Sequence, residues 1–145
     1  SWATPVFFRP MDIGIDISVM SATKYISGHS DVMLGVVSTN KESWKAVKKS
    51  ALMFGYCGGS EELYLGLRGL RTLSVRLAEH QKNALELAQW LSTHPAIKRV
   101  LHPALPSCTG HENWKQYYKG SSGTFGVILK ETRKEKIARM LDNME

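Results

Sequence analysis

Residues 12–38 read DIGIDISVM, then SATKYISGHSD, then VMLGVVS. From Asp12 to Met20 polar and apolar residues alternate and then become continuously apolar, the pattern of a strand entering a buried sheet. Val32 to Ser38 reads as a second buried strand. Between them lies a polar loop, Ser27 to Asp31, entered through Ser21-Ala22-Thr23-Lys24-Tyr25. Loops at strand ends carry reactive groups while the sheet holds them still, and Lys24 stands at such an end. A lysine whose amine is desolvated there becomes a nucleophile. The hydroxyls of Ser21 and Thr23, two positions apart, suit a neighbouring phosphate. The plainer alternative is a solvated lysine, as most lysines are, and spacing alone favours it.

Downstream, Asn40 is placed to cap a helix from Lys41 to about Phe54, ended by Gly55. Its apolar positions Trp44, Val47, Ala51 and Phe54 fall three or four apart. Ser60 opens the longest helical pattern, residues 61–92, with Glu61 and Glu62 complementing the helix dipole. Leu63, Leu67, Leu70, Leu73, Leu77, Ala84, Leu87 and Leu91 mark its apolar face. Gly66 and Gly69 lie inside it, each costing up to about 1 kcal/mol against Ala, which predicts close packing there or a break. A pattern this long, ended by Pro95, is expected to bridge two lobes. Ile97–Leu101 reads as a strand, residues 102–122 as irregular, Gly123–Leu129 as a strand, and Lys130–Glu145 as an amphipathic helix. That helix has no closing cap and the first strand no earlier partner, so the sequence is expected to be part of a longer chain.

The 145 residues are 43% hydrophobic and 22% charged, which excludes a disordered tail and suits one folded domain. No apolar run approaches the roughly 20 residues of a membrane span. Ser1-Trp2-Ala3-Thr4-Pro5 lacks the basic-then-apolar pattern of a signal peptide. Two cysteines, Cys57 and Cys108, are too few for a disulfide scaffold, so a reduced, cytoplasmic setting is expected. The net charge of +6 comes from 19 basic and 13 acidic side chains. The basic runs 41–49 and 130–136 are interleaved with Glu and apolar residues, as on the wet face of a helix. This argues against a nucleic-acid partner and fits a small anionic ligand.

The whole string Ser21 to Asp31 resembles the cofactor-lysine signature of the pyridoxal-phosphate enzymes of cysteine and methionine metabolism. The resemblance runs the length of the chain. Trp2-Ala3-Thr4-Pro5 is similar to the segment after that family's Asp-Asn-Thr, and Arg68-Gly69-Leu70-Arg71-Thr72-Leu73 is shared widely in it. His102-Pro103-Ala104-Leu105-Pro106, Gly110-His111-Glu112, Trp114-Lys115, Gly120-Ser121-Ser122-Gly123 and Leu141-Asp142-Asn143 resemble its bacterial cystathionine β-lyase branch.

The resemblance implies an α/β fold of the aminotransferase-like type (fold type I). Residues 1–60 would end a large cofactor domain with a mainly parallel sheet, residues 61–92 would form a long connecting helix, and residues 93–145 would begin a smaller α/β domain. It implies pyridoxal phosphate held as a Schiff base on Lys24, which then serves as base, with Ser21 and Thr23 on the phosphate. The implied reaction cleaves L-cystathionine by β-elimination to homocysteine, pyruvate and ammonia, in a homotetramer built as a dimer of dimers. A sister activity (cystathionine γ-synthase or γ-lyase) and a non-catalytic remnant that only mediates association are the alternatives. The aspartate on the pyridine nitrogen, the ring-stacking tyrosine and the substrate-carboxylate arginine are implied to lie outside this sequence. The chain alone is therefore expected not to turn over cystathionine.

Three other constellations are weaker. His29 and Asp31 with Ser27 or Ser30 lack the Gly-x-Ser-x-Gly elbow of a hydrolase and read as a loop organising its own backbone. His102, Cys108 and His111 match no zinc spacing, so no metal is expected. Trp114, Tyr117 and Tyr118 beside Lys115 and Lys119 read as a lobe boundary or subunit contact rather than a base-stacking platform.

Overall fold

A computed structural model describes residues 1–144. In chain order it contains α1 (Thr4–Phe7), a 3-10 turn (Pro10–Ile13), β1 (Ile17–Ser21), β2 (Gly35–Thr39), α2 (Lys41–Met53), α3 (Ser60–Leu70) and α4 (Leu73–Thr93). β3 (Ile97–Leu101), α5 (His111–Tyr117), β4 (Gly126–Leu129) and α6 (Lys134–Asp142) follow.

Both strand pairs are antiparallel, with Ser21 opposite Gly35 in the first and Leu101 opposite Gly126 in the second. β1 and β2 pair antiparallel because Ala22 to Leu34 holds no crossover helix, and a direct return pairs strands antiparallel; these two strands are all that the described residues show of the sheet expected for the larger domain. The expected burial of these strands is corrected. Val19 is 73% exposed and Val37 49%, because a two-stranded ribbon leaves faces without cover among the described residues. β1 starts later than expected because Pro10–Ile13 winds into the 3-10 turn, closed by Gly14 at φ +86°.

Helix α2 forms as its sequence dictates: the Asn40 side chain accepts the Ser43 amide at 2.9 Å. Residues 61–92 are not one helix. The break falls at Arg71 and Thr72, between α3 and α4. There the Gly69 carbonyl accepts the Thr72 amide at 3.1 Å, the Thr72 hydroxyl at 3.2 Å and an Arg76 guanidinium nitrogen at 2.8 Å. Donors gathered on one carbonyl end α3, and Thr72 then accepts the Arg76 amide, which starts α4. The inward face of α3 is Gly66 and Gly69, while Leu63, Leu67 and Leu70 are exposed. Helix backbone, not leucine side chains, is what approaches the rest of the fold.

Two small cores lie toward opposite ends of α4. Leu73 joins Ala22 and Ile26, and Ala88 joins Val100 and Leu105. A helix of 21 residues spans about 30 Å, so α4 sets the distance between them. The two halves also meet directly. Trp2 Nε1 donates to the Thr124 carbonyl at 2.7 Å, the Lys119 amide donates to the Phe7 carbonyl at 2.8 Å, and Tyr118 stacks on Phe8 with ring centroids 4.5 Å apart. Tyr118 thus packs against a ring near the start of the chain.

The stretch expected to be irregular contains α5, too short for its periodicity to show. The last helix begins at Lys134 instead of Lys130, because the Glu131 carboxylate accepts the Thr132 and Arg133 amides and holds a turn there. Glu145, its expected final residue, lies outside the described residues.

Candidate active site

Ala22 to Ser27 forms a single helical turn directly after β1. The Ser27 amide donates to the Ala22 carbonyl at 2.9 Å and the Gly28 amide to the Lys24 carbonyl at 2.8 Å. Ala22 and Ile26, four apart, share one face of the turn, and both are buried against Leu73. Lys24, midway between them, projects from the opposite face and is exposed. Lys24 is thus solvated in this chain, the alternative that spacing alone favoured: the turn buries its alanine and isoleucine and presents its lysine.

Thr23 faces β2. Its hydroxyl accepts the Leu34 amide at 2.8 Å and donates to the Leu34 carbonyl at 3.2 Å. Ser21 is the last residue of β1, half-buried, its amide donating to the Ser1 hydroxyl at 2.7 Å. A cavity of about 760 Å³ opens beside the turn, lined among others by Trp2, Thr23, Lys24, Tyr25, His80 and Thr124. Lys24 and Thr23 therefore share one cavity, and Ser21 is not part of its lining. The Tyr25 hydroxyl bonds the Thr124 hydroxyl at 2.9 Å, and its ring lies edge-on to His80.

Within the polar loop His29 Nδ1 bonds the Ser27 carbonyl at 2.7 Å, while Asp31 is held from α3, by Arg68 donating at 2.8 Å. His102, Cys108 and His111 are not gathered into one cluster of metal-ligating side chains among the described residues. His111 Nδ1 bonds the Pro103 carbonyl at 2.8 Å. His102 is fully buried against Phe125, its Nδ1 accepting the Ala104 amide. Burial pushes the His102 imidazole below its ordinary pKa.

Sequence reasoning missed Arg76. Its guanidinium donates to the carbonyls of Tyr25 at 2.8 Å, Ile26 at 3.0 Å and Gly69 at 2.8 Å, and its Nε donates to the Thr72 hydroxyl at 3.0 Å. Burial lowers its pKa, yet a guanidinium stays charged. Two glycines make room for this contact. Gly28, at φ +76°, would drive a Cβ into the Arg76 guanidinium, and Gly69 would drive one into the carbonyls of Ile26 and Ser27. The partners are 50 and 51 residues apart, so no periodicity signals them. Gly66 and Gly69 were the one available hint.

A family model described as Cys/Met metabolism PLP-dependent enzyme matches residues 1–145. Cystathionine beta-lyase MetC of Escherichia coli (strain K12) is 44% identical over 144 residues, which is 99% of this chain and 36% of that protein. The L-alanine/L-glutamate racemase of Wolbachia pipientis wMel is also 44% identical, over 146 residues, covering 100% of this chain and 36% of that protein. The solved cystathionine gamma synthase from Xanthomonas oryzae pv. oryzae, in complex with aminoacrylate and cysteine, matches with a TM-score of 0.91 at 34% identity. That match covers 96% of this chain and 36% of the other. The chain spans about a third of the length of the curated relatives it matches.

Proposed function

The chain belongs to the Cys/Met metabolism PLP-dependent enzyme family, and on that premise we propose that the whole protein is a carbon–sulfur lyase cleaving L-cystathionine, with Lys24 as its cofactor lysine. The family's fold is the aminotransferase-like fold type I of its solved neighbours, and its cofactor is pyridoxal phosphate. The observation that carries the proposal is the placement of Lys24: a primary amine on the open face of a pinned turn, on the same cavity as the Thr23 hydroxyl. That donor set fits the cofactor. An amine suits its aldehyde. The Thr23 hydroxyl already accepts the Leu34 amide, while its own proton rests on a long 3.2 Å bond that a phosphate oxygen outcompetes. Ser21 contributes from the end of β1 if its side chain turns toward the same phosphate.

When bound, pyridoxal phosphate supplies an electron sink for the negative charge left on the substrate's α-carbon. With it bound, Lys24 Nζ would remove the α-proton; loss of the homocysteine sulfur from the β-carbon and uptake of one water would then give pyruvate and ammonia. Trp2, Tyr25 and His80 wall the cavity and limit the approach of substrate to Lys24. We read residues 1–60 as the end of the cofactor domain and residues 93–145 as the start of the smaller domain, with α3 and α4 replacing a single connecting helix. Exposed Trp44, Phe54, Tyr56, Leu63 and Tyr64 supply apolar surface for the remainder of the protein or for a second copy in a homo-oligomer.

A second reading has one specific support. The racemase relative is as similar to this chain as the β-lyase of E. coli, and α-proton removal by Lys24 would serve racemisation equally well. The full-length holoenzyme separates the readings. Pyruvate released from L-cystathionine supports the lyase, 2-oxobutyrate points to γ-elimination, and D-alanine formed from L-alanine without keto acid points to racemisation. Borohydride reduction should fix the cofactor on Lys24 and bleach its visible band. A label elsewhere would overturn the assignment of Lys24.

A further inference from the structure

We propose that Arg76 is a positioning residue that fixes the Lys24 turn against the α3–α4 junction; this rests on the reading of Lys24 as the cofactor lysine. A helical turn ends with carbonyls that have no partner within it. Here those are Tyr25 and Ile26, immediately after the lysine, and both accept from one guanidinium. The same guanidinium holds the carbonyl of Gly69, in the last turn of α3, and the Thr72 hydroxyl fixes its Nε. One planar fork thus ties the turn, the end of α3 and the start of α4 together, which a point-charge ammonium is not shaped to do. Among the described salt bridges none involves Arg76, so its charge is directed at carbonyl dipoles. The fit is two-sided: Gly28 and Gly69 lack a Cβ at the points where the guanidinium and the turn would meet one.

The consequence for chemistry is mechanical. The Tyr25 carbonyl belongs to the residue after Lys24, so slack in this bond becomes displacement of the amine. A misplacement of about 1 Å costs about 10²-fold in rate.

The test uses the full-length holoenzyme with Arg76→Ala, Arg76→Lys and Lys24→Ala. Arg76→Ala should lower kcat about 10²-fold with KM changed by less than about threefold. The midpoint of the pH titration of the visible band should shift. Free guanidinium at non-denaturing concentration should restore part of kcat to Arg76→Ala, while Arg76→Lys should recover little. In the cofactor-free protein, the amides of Ser27 and Gly28 should exchange with solvent faster in Arg76→Ala, with exchange elsewhere unchanged. Should Arg76→Ala not fold, Arg76→Lys carries the same kinetic and exchange measurements. A folded variant with unchanged kcat and unchanged exchange at Ser27 and Gly28 overturns the proposal, as does a loss confined to KM. If Lys24→Ala keeps both its cofactor linkage and its turnover, the reading of Lys24 fails. Faster exchange in Arg76→Ala would then show only that the clamp holds the turn.

Discussion

Replacing Gly69 by alanine tests whether backbone contact, rather than side-chain packing, sets the position of the lysine turn. Alanine in the last turn of α3 gains up to about 1 kcal/mol of helix propensity. Against this, the new Cβ meets the carbonyl oxygens of Ile26 and Ser27, and lies 2.7 Å from Ser27 Cα. Comfortable carbon–carbon contact is about 3.5–4.0 Å, so the turn must retreat by about 1 Å. Those atoms are backbone and have no rotamer to escape into. Overpacking of this kind costs about 1–3 kcal/mol, so a net destabilisation of about 1–2 kcal/mol is expected, with a fall in kcat of about 10²-fold because Lys24 moves with the turn. Gly66→Ala is the matched control. Its Cβ meets only Leu34 Cδ2, at 2.7 Å, the free end of a side chain that can rotate away. The helix gain then offsets the contact, and stability should stay within about 0.5 kcal/mol of the parent. Denaturant unfolding and steady-state turnover of the full-length protein read both effects. A Gly69→Ala protein as stable and active as the parent, or a Gly66→Ala protein damaged equally, would show that the turn is not held by this close approach.

The remaining expectations concern other contacts of the same framework. His102 is buried with its pKa pushed down, whereas in the unfolded chain it titrates near about 6.5. The unfolded state therefore binds more protons below that value, so stability falls as the pH drops through it. His102→Phe should flatten this dependence between about pH 7.5 and 5.5, and an unchanged pH slope in denaturation would refute it. Thr23→Val leaves the Leu34 amide without its acceptor and should cost about 1–3 kcal/mol. Thr23→Ser should be near neutral, and equal losses in the two unfolding curves would contradict the hydroxyl's role. Tyr25→Phe and Thr124→Val remove opposite halves of one hydrogen bond. A double-mutant cycle should show coupling of at least about 0.5 kcal/mol, and strict additivity would mean the bond is not formed in solution.

The parts of this structure that its sequence made legible are those closed over short distances. The Asn40 cap reaches only to Ser43. The stretch from Ser21 to Asp31 folds on itself through bonds among Ala22, Thr23, Lys24, Ser27 and Gly28. Gly66 and Gly69 announced a close approach or a break, and both occur. What was illegible depends on partners far along the chain. The exposed face of β1 reads as buried because apolar residues in a row carry no information about whether anything covers them. The outward turn of Leu63, Leu67 and Leu70 has the same origin: the periodicity locates a face, and the two glycines, not the leucines, decided which side approached the core. Arg76 looked like one more cation on a helix, since none of its acceptors is a side chain with a recognisable charge.

The ties on the Lys24 turn form a graded series in chain separation. Thr23 reaches Leu34 across 11 residues, Arg76 reaches Ile26 and Tyr25 across 50 and 51, and Tyr25 reaches Thr124 across 99. Closure entropy rises only slowly with loop length, so the distant ties cost little more to form than the near one. Their effects differ in kind. The Thr23–Leu34 pair fixes the exit of β1 against the entry of β2, which sets where the turn begins. Arg76 fixes where it ends. Both ties end on main-chain groups: the Thr23 hydroxyl bonds the Leu34 amide and carbonyl, and the Arg76 guanidinium bonds the Tyr25 and Ile26 carbonyls. The Tyr25–Thr124 bond adds something the other two do not: it joins the residue after the lysine to the segment just before β4. Displacement of that segment must break the bond or drag the turn, so the position of the amine depends on residues on both sides of α4.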